Sequence, residues 1–418
     1  MPPQEHLDRL RTVPKPHFFI SRFLIVATFS LLFGLFGCRK SSFPDVPAGY
    51  REYAYISNGG SNTVTVLDLV YLRQDRTLQV GTNPTNLAVN LVRNEVYVAN
   101  TQSGTVSVID AEANRVVATI AVRRQPDFIT VDPTGHRAYI ANYGSNSVSI
   151  LDLDRRREVS IAGAGEQPVQ AHISPDGRTL VVTNHGSGSV SLFDVTPYNS
   201  AIASSGTGIH LRSTFADCPG ATDTVILPDS SKAFVACSAG HQVMAIGVAA
   251  ASGSWAAKQN SSLMTDHMLA LLDVGKTPVH LAMKPDGGEI FVSNLESDSF
   301  SEISTLTNEV GGTYPIGNRP VGGIVSGDNS TLWVANSGAD SIALYSIDDG
   351  KLAGSVRTGS GPGALAFSED EHLLLATDTH SGDVAVIRTA GKQGPALFTI
   401  LPAGISPNSI VIKALHEK

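Results

Sequence analysis

Residues 96–110 read VYVANTQSGTVSVID, and residues 138–152 say nearly the same thing as AYIANYGSNSVSILD. In each, apolar residues alternate with small or polar ones on both sides of a short loop of Gly, Ser and Asn. Period-two alternation interrupted by such a loop is the pattern of two antiparallel strands joined by a hairpin. An asparagine, Asn100 or Asn142, closes the first strand. The same pivot recurs as Asn58, Asn184, Asn294 and Asn336, with Cys237 and Asp378 in its place in two further units. The steps between successive pivots are 42, 42, 42, 53, 57, 42 and 42 residues. A fixed period of this length marks an array of like units.

A second phrase interleaves with the first. QPVQAHISPDGR (167–178) and TPVHLAMKPDGG (277–288) each hold a proline, a short apolar strand and then Pro-Asp-Gly. Pro presets φ for a turn and Gly accepts positive φ, so Pro-Asp-Gly closes a tight turn. The opening prolines are Pro84, Pro126, Pro168, Pro278, Pro320, Pro362 and Pro407, with Ala221 in the corresponding place of the fifth unit. Each unit therefore reads as four short strands: A after the proline, B up to the pivot, C after the loop, and D leading to the next proline. The first unit (53–80) holds B, C and D only, while PNSIVIK (407–413) is an A strand with nothing after it. Joined, they complete one unit and close a circle, which removes exposed strand edges. The expected fold is all-β: a β-propeller of eight four-stranded antiparallel blades, the first closed by the C-terminal strand. Seven blades is the alternative, should one diverged unit not form a blade.

VYVANTQSGTVSVID and PVQAHISPDGR resemble the YVTN-type β-propeller repeat, and the resemblance spans residues 53–413. AFVACSAGHQVMAI (233–246) departs most, with Cys at the pivot. The resemblance implies a propeller and a broad company: lactonase-like enzymes, surface-layer proteins, electron-transfer subunits and haem-linked domains. A shared fold does not choose among these activities.

Arg9, Arg11, Lys15 and Arg22 precede an apolar run, FLIVATFSLLFGLF (23–36), that ends at Gly37-Cys38. The run is short for a membrane-spanning helix and suits the core of a secretory signal. LFGC (35–38) resembles a bacterial lipobox. Residues 1–37 are therefore expected to be a lipoprotein signal peptide, Cys38 the lipidated residue, 39–50 a polar tether and 51–418 a single propeller domain. The expected location is the cell envelope, anchored to a bacterial membrane through lipid alone. The net charge of −8 and the lack of a Lys/Arg cluster beyond the signal region argue against nucleic acid as a partner.

We call the rim carrying the B–C and D–A loops the top, and the rim carrying the Pro-Asp-Gly and C–D turns the bottom. The repeated asparagine is read as structural, its amide bonding backbone two residues on in an Asx-turn. Non-repeating polar residues at the top are the candidates for a ligand or metal: His185, His241 and His280 on blades 4 to 6, with Tyr143, Glu166 and Arg319. Arg123, Arg124, Asp127, Lys276 and His380 also lie on this rim. Imidazoles at a channel mouth suit metal binding or acid–base chemistry, but no HExxH or CxxCH spacing accompanies them. His172, mid-strand in blade 4, is read as packed between blades. Cys218 precedes strand A of blade 5 and Cys237 ends its strand B, so a hairpin turning near Pro228-Asp229 brings them together. In an exported chain they are expected to form a disulfide worth about 3 kcal/mol. Polar insertions at 196–210 and 251–267 fall between strands C and D, at the bottom.

The leading functional expectation is a non-enzymatic, monomeric propeller that binds an envelope protein or small ligand through its top loops, with no cofactor and no catalytic residue assigned. The alternative is a lactonase-type hydrolase of a small sugar lactone. A further alternative is a metal- or haem-associated domain in electron transfer or cofactor assembly.

Overall fold

The computed structural model describes residues 47–196, 208–249, 265–391 and 394–416. The signal segment, Cys38, the tether up to residue 46, and the insertion residues 197–207 and 250–264 lie outside them. Within the described residues the chain forms eight four-stranded antiparallel sheets, each in the order A-B-C-D. The A strands are Pro84–Asn90, Pro126–Val131, Pro168–Ile173, Ala221–Ile226, Pro278–Met283, Pro320–Val325, Pro362–Phe367 and Pro407–Leu415. Each touches the A strands on either side, the last meeting the first, so together they form the inner wall of a closed ring. The eighth closure is made by Pro407–Leu415, which pairs with Arg51–Asn58 and sets Tyr55 opposite Val411. Eight blades, not seven, complete the circle.

The core lies between blades. Tyr53, Tyr55, Val64 and Val66 of blade 1 pack against Leu87, Val96, Val98 and Ile109 of blade 2. Trp333, Ala335, Ile342 and Leu344 of blade 7 meet Leu374, Ala376, Ala385 and Ile387 of blade 8 in the same way. Strands B and C carry apolar residues on both faces because each face meets a neighbouring blade. Burying a side chain of this size stabilises by about 1.5–3 kcal/mol, and these contributions are spread around the whole ring.

The recurring asparagine does more than shape a turn. Asn58 Nδ2 donates to Thr63 and Thr65 hydroxyls, Asn100 to Thr105 and Ser107, Asn184 to Ser189 and Ser191, and Asn294 to Ser299 and Ser301. Those partners stand on strand C, so the amide reaches across the hairpin rather than to backbone two residues on. Asn142 is extended, at φ −102° and ψ 90°, and spends its amide on Ser149 and its own strand. The Asx-turn expectation is thus replaced by a cross-strand staple.

In blades 1 and 4 the pivot also holds the D–A loop on its other side, whereas the Oδ1 atoms of Asn100, Asn142, Asn294 and Asn336 are buried without such a bond. Asn184 Oδ1 accepts from Gly165 N–H and Asn58 Oδ1 from Gly404 N–H, each at 3.0 Å. Both glycines stand three residues before the opening proline. A Cβ on Gly165 would come within 2.7 Å of Asn184 Cγ, so the close approach requires the missing side chain. In blade 5 the two positions are Cys218 and Cys237, and they form a disulfide with Cα atoms 4.7 Å apart. A covalent bond stands there in place of the hydrogen bond.

Candidate functional site

Several of the rim residues hold positions that repeat around the ring. His241 has φ 57° and its Nδ1 accepts the Thr277 N–H at 3.1 Å. Asn62, Asn146, Asp298 and Asp340 occupy the same loop position, with φ between 49° and 58°, and accept the equivalent N–H through a side-chain oxygen. Arg319 is one of those donors, at φ 54°, just before Pro320. Glu166 and Lys276 are exposed, and each gives its backbone N–H to a serine hydroxyl, of Ser187 and Ser297. Tyr143 and His185 immediately follow the pivots of blades 3 and 4, so they stand at equivalent points of the rim. Tyr143 is half-buried and His185 exposed. His380 is exposed on the blade 8 loop.

The structure therefore does not gather His185, His241 and His280 into one set of ligands. Among the described residues no group of three or more His, Cys, Asp or Glu side chains is placed to hold a metal ion.

His280 belongs instead to a polar cluster on the inner wall. Position two after the opening proline reads Asn86, Phe128, Gln170, Asp223, His280, Gly322, Ala364 and Ser409 around the ring. Four of these side chains clasp the next A strand. Asn86 Oδ1 accepts Ile129 N–H, Gln170 Oε1 accepts Thr224 N–H, Asp223 Oδ2 accepts Leu281 N–H at 2.8 Å, and His280 Nε2 donates to Gly323 O at 2.9 Å. His280 Nδ1 lies 3.0 Å from Asp223 Oδ2. Asp223, only 6% exposed, also accepts the Thr224 N–H.

Burial works against charge on both partners, and the pairing overcomes it. The imidazole of His280 is raised above its ordinary value by Asp223 and by its bond to Gly323 O, and the Asp223 carboxyl is held below the usual carboxylate range by His280. His280 thus donates from both nitrogens and has none left to accept a proton. His172 packs between blades: its ring centroid lies 4.6 Å from that of Phe128, its Nε2 is 3.1 Å from Gln170 Oε1, and burial lowers its pKa.

Asp127 stands at the top end of the blade 3 inner strand, next to Pro126. Burial alone pushes its carboxyl up to about 6. Between blades 2 and 3 lies a cleft of about 550 Å³ whose lining includes Thr101, Gln102, Arg123, Arg124 and Gln125 but not Asp127. Arg123 pairs with Glu158 at 2.9 Å. Asp223, Gln170 and Phe128 were not singled out from sequence. The signal that marks Gln170 and Asp223 is the polar run Gln170, Asp223 and His280 at position two, which blades 7 and 8 fill with Gly322 and Ala364.

The family described as "Lactonase, 7-bladed beta-propeller" matches the chain over residues 54–308 and 299–399. No curated protein matches it. Hydrazine synthase from Kuenenia stuttgartiensis is 21% identical, with 70% of this chain and 91% of that one covered and a TM-score of 0.50. Dihydro-heme d1 dehydrogenase NirN, in complex with DHE, is 15% identical over 88% of this chain and 76% of that one, at a TM-score of 0.68. A proposed 6-phosphogluconolactonase from Bacteroides fragilis is 15% identical over 89% and 100%, at a TM-score of 0.57. At these identities the likeness is one of fold. The family match runs through most of the ring, and on it the chain belongs to the lactonase β-propeller family, of which it is an eight-bladed member.

Proposed function

We propose that the protein hydrolyses a small, anionic sugar lactone at the top mouth of the ring. The observation that carries this reading is Asp127, a half-buried carboxyl whose pKa of about 6 suits a general base working near neutral pH. Its carboxylate takes a proton from a water as the oxygen adds to the lactone carbonyl. The resulting tetrahedral species then breaks its ring C–O bond, and protonated Asp127 returns its proton to the departing ring oxygen to give the open hydroxy acid. Tyr143 and His185, on the same rim, are the donors we assign to the carbonyl oxygen. Arg123 and Arg124 in the cleft between blades 2 and 3 offer positive charge to a carboxylate or phosphate on the substrate. Membership of the lactonase family and the Bacteroides fragilis neighbour support this choice of substrate class.

The test is a panel of γ- and δ-lactones of sugar acids, with and without phosphate. Turnover that rises through about pH 6 and falls roughly 100-fold or more in Asp127→Asn is expected. No turnover of any lactone, or turnover indifferent to Asp127→Asn, sinks the proposal.

A second reading rests on His280, whose nitrogens are both engaged. The inner-wall cluster then serves to hold a binding surface in shape, and the mouth binds a small ligand or an envelope protein without turnover. A ligand-dependent rise in Tm with no hydrolysis would select it. For either reading we propose export and lipid anchoring at Cys38. The Cys218–Cys237 disulfide supports an oxidising compartment. The mass of the N-terminal peptide of the mature protein tests the anchor.

A further inference from the structure

Five large apolar side chains among the described residues are more than 60% exposed: Tyr71 at 71%, Leu91 at 88%, Val92 at 64%, Leu306 at 85% and Ile405 at 66%. The first four share one face. Tyr71 lies in the C–D turn of blade 1, Leu91 and Val92 in the A–B turn of blade 2, and Leu306 in the C–D turn of blade 6, all at the bottom. Ile405 alone is in a top loop. Isolated exposed apolar residues are ordinary, and four of these five stand on the face at which the chain enters the ring.

The chain enters the ring at the same face. The first strand begins at Arg51, opposite Leu415, at the bottom end of blade 1. Twelve residues (39–50) separate it from Cys38, a reach of at most about 40 Å when extended. Blades 2 and 6 stand across the ring from one another, so contact through both keeps the ring axis upright on a flat support. Tyr71 has an apolar ring with a polar tip, and the Arg73 guanidinium lies 5.2 Å from its centroid. That is a pairing suited to a headgroup layer. The turns of this face carry both signs, with Asp176, Asp229, Asp286, Asp328 and Asp370 in the A–B turns of blades 4 to 8 and Arg93, Arg155 and Arg156 in turns of blades 2 and 3, a mixture that suits a zwitterionic surface.

We infer that the bottom face is a membrane-docking surface, with Tyr71, Leu91, Val92 and Leu306 seated among the headgroups of a zwitterionic bilayer and the top mouth turned away from it. This rests on the lipid anchor proposed above to bring the face to the membrane.

The test reconstitutes the mature protein in phosphatidylcholine vesicles with brominated chains. Single-cysteine variants Leu91→Cys, Leu306→Cys and, as the top control, Ile405→Cys carry an environment-sensitive dye. Quenching of roughly threefold or more at 91 and 306, with none at 405, is expected for side chains at the acyl boundary. Quenching at 91 and 306 no greater than at 405 overturns the inference. The mass of the N-terminal peptide reports the anchor separately. Should the protein carry no lipid, it is added to preformed vesicles. Partitioning that drops about tenfold in Leu91→Ser/Val92→Ser/Leu306→Ser sustains the surface without the anchor, and no partitioning overturns it.

Discussion

His280 keeps its charge because geometry leaves no neutral alternative: each nitrogen faces an acceptor, one of them the buried carboxylate of Asp223. Removing the imidazole strands that carboxylate, so His280→Ala is expected to lower unfolding free energy by about 3 kcal/mol, measured by denaturant unfolding. The raised His280 pKa means its contribution is full below the ordinary value of 6.5 and is lost as pH rises through the folded value. The depressed Asp223 pKa means its part is present above the ordinary value of 3.8 and is lost as pH falls through the folded value. Stability from the pair is therefore largest between those limits. Asp378 behaves oppositely. It takes the pivot position in blade 8 and faces Asp383 directly, and burial, then that neighbour, push it up to about 7. Folding holds its proton more tightly than the unfolded chain does, so stability declines as pH climbs from about 4 to 7, at about 1.4 kcal/mol per unit of separation. Asp378→Asn should raise Tm above pH 7 and flatten this dependence. Neither pair was legible in the sequence. Asp223 sits in the one unit that opens on Ala221 instead of proline, and its partner His280 lies on the next blade. Period-two patterning reports which face a side chain takes, not what it meets across a blade boundary.

At the scale of the element, the hairpins of blades 1 and 4 are tied to the loop before them by an asparagine amide, that of blade 5 by a disulfide and that of blade 8 by the Asp378 carboxylate. Reducing Cys218–Cys237 should cost about 3 kcal/mol and lower Tm accordingly. Cys218→Gly with Cys237→Asn imports the asparagine device but leaves the new amide facing Gln242 and Met244, where blades 1 to 4 and 6 offer Ser or Thr. An unpaired buried amide costs about 1–3 kcal/mol. Adding Met244→Ser supplies the missing hydroxyl, so the triple variant is expected to be insensitive to reductant and more stable than the double, as thermal melts with and without dithiothreitol would show. The strands, the hairpins and the cysteine pairing could all be read from period, proline position and loop composition, because each is local or repeats. The staple could not, since its hydroxyl partners stand five and seven residues beyond the pivot and look like ordinary strand-forming residues.

On the scale of the whole molecule, the ring has no free inner edge only because Pro407–Leu415 lies beside Arg51–Asn58. A chain stopped before Pro407 should lose blade 1 pairing, expose Tyr55 and Val64, and aggregate, which size-exclusion chromatography would reveal. Counting the units was enough to foresee this closure, because the surplus strand at one end matches the deficit at the other. The same arrangement sets a clock on biosynthesis. The strand that opens the fold is made first and its partner last, so at roughly 5–20 residues per second the nascent chain keeps its first hairpin unmatched for on the order of half a minute. Throughout that interval the first hairpin lacks its inner partner, and the ring can close only once Pro407–Leu415 has been made.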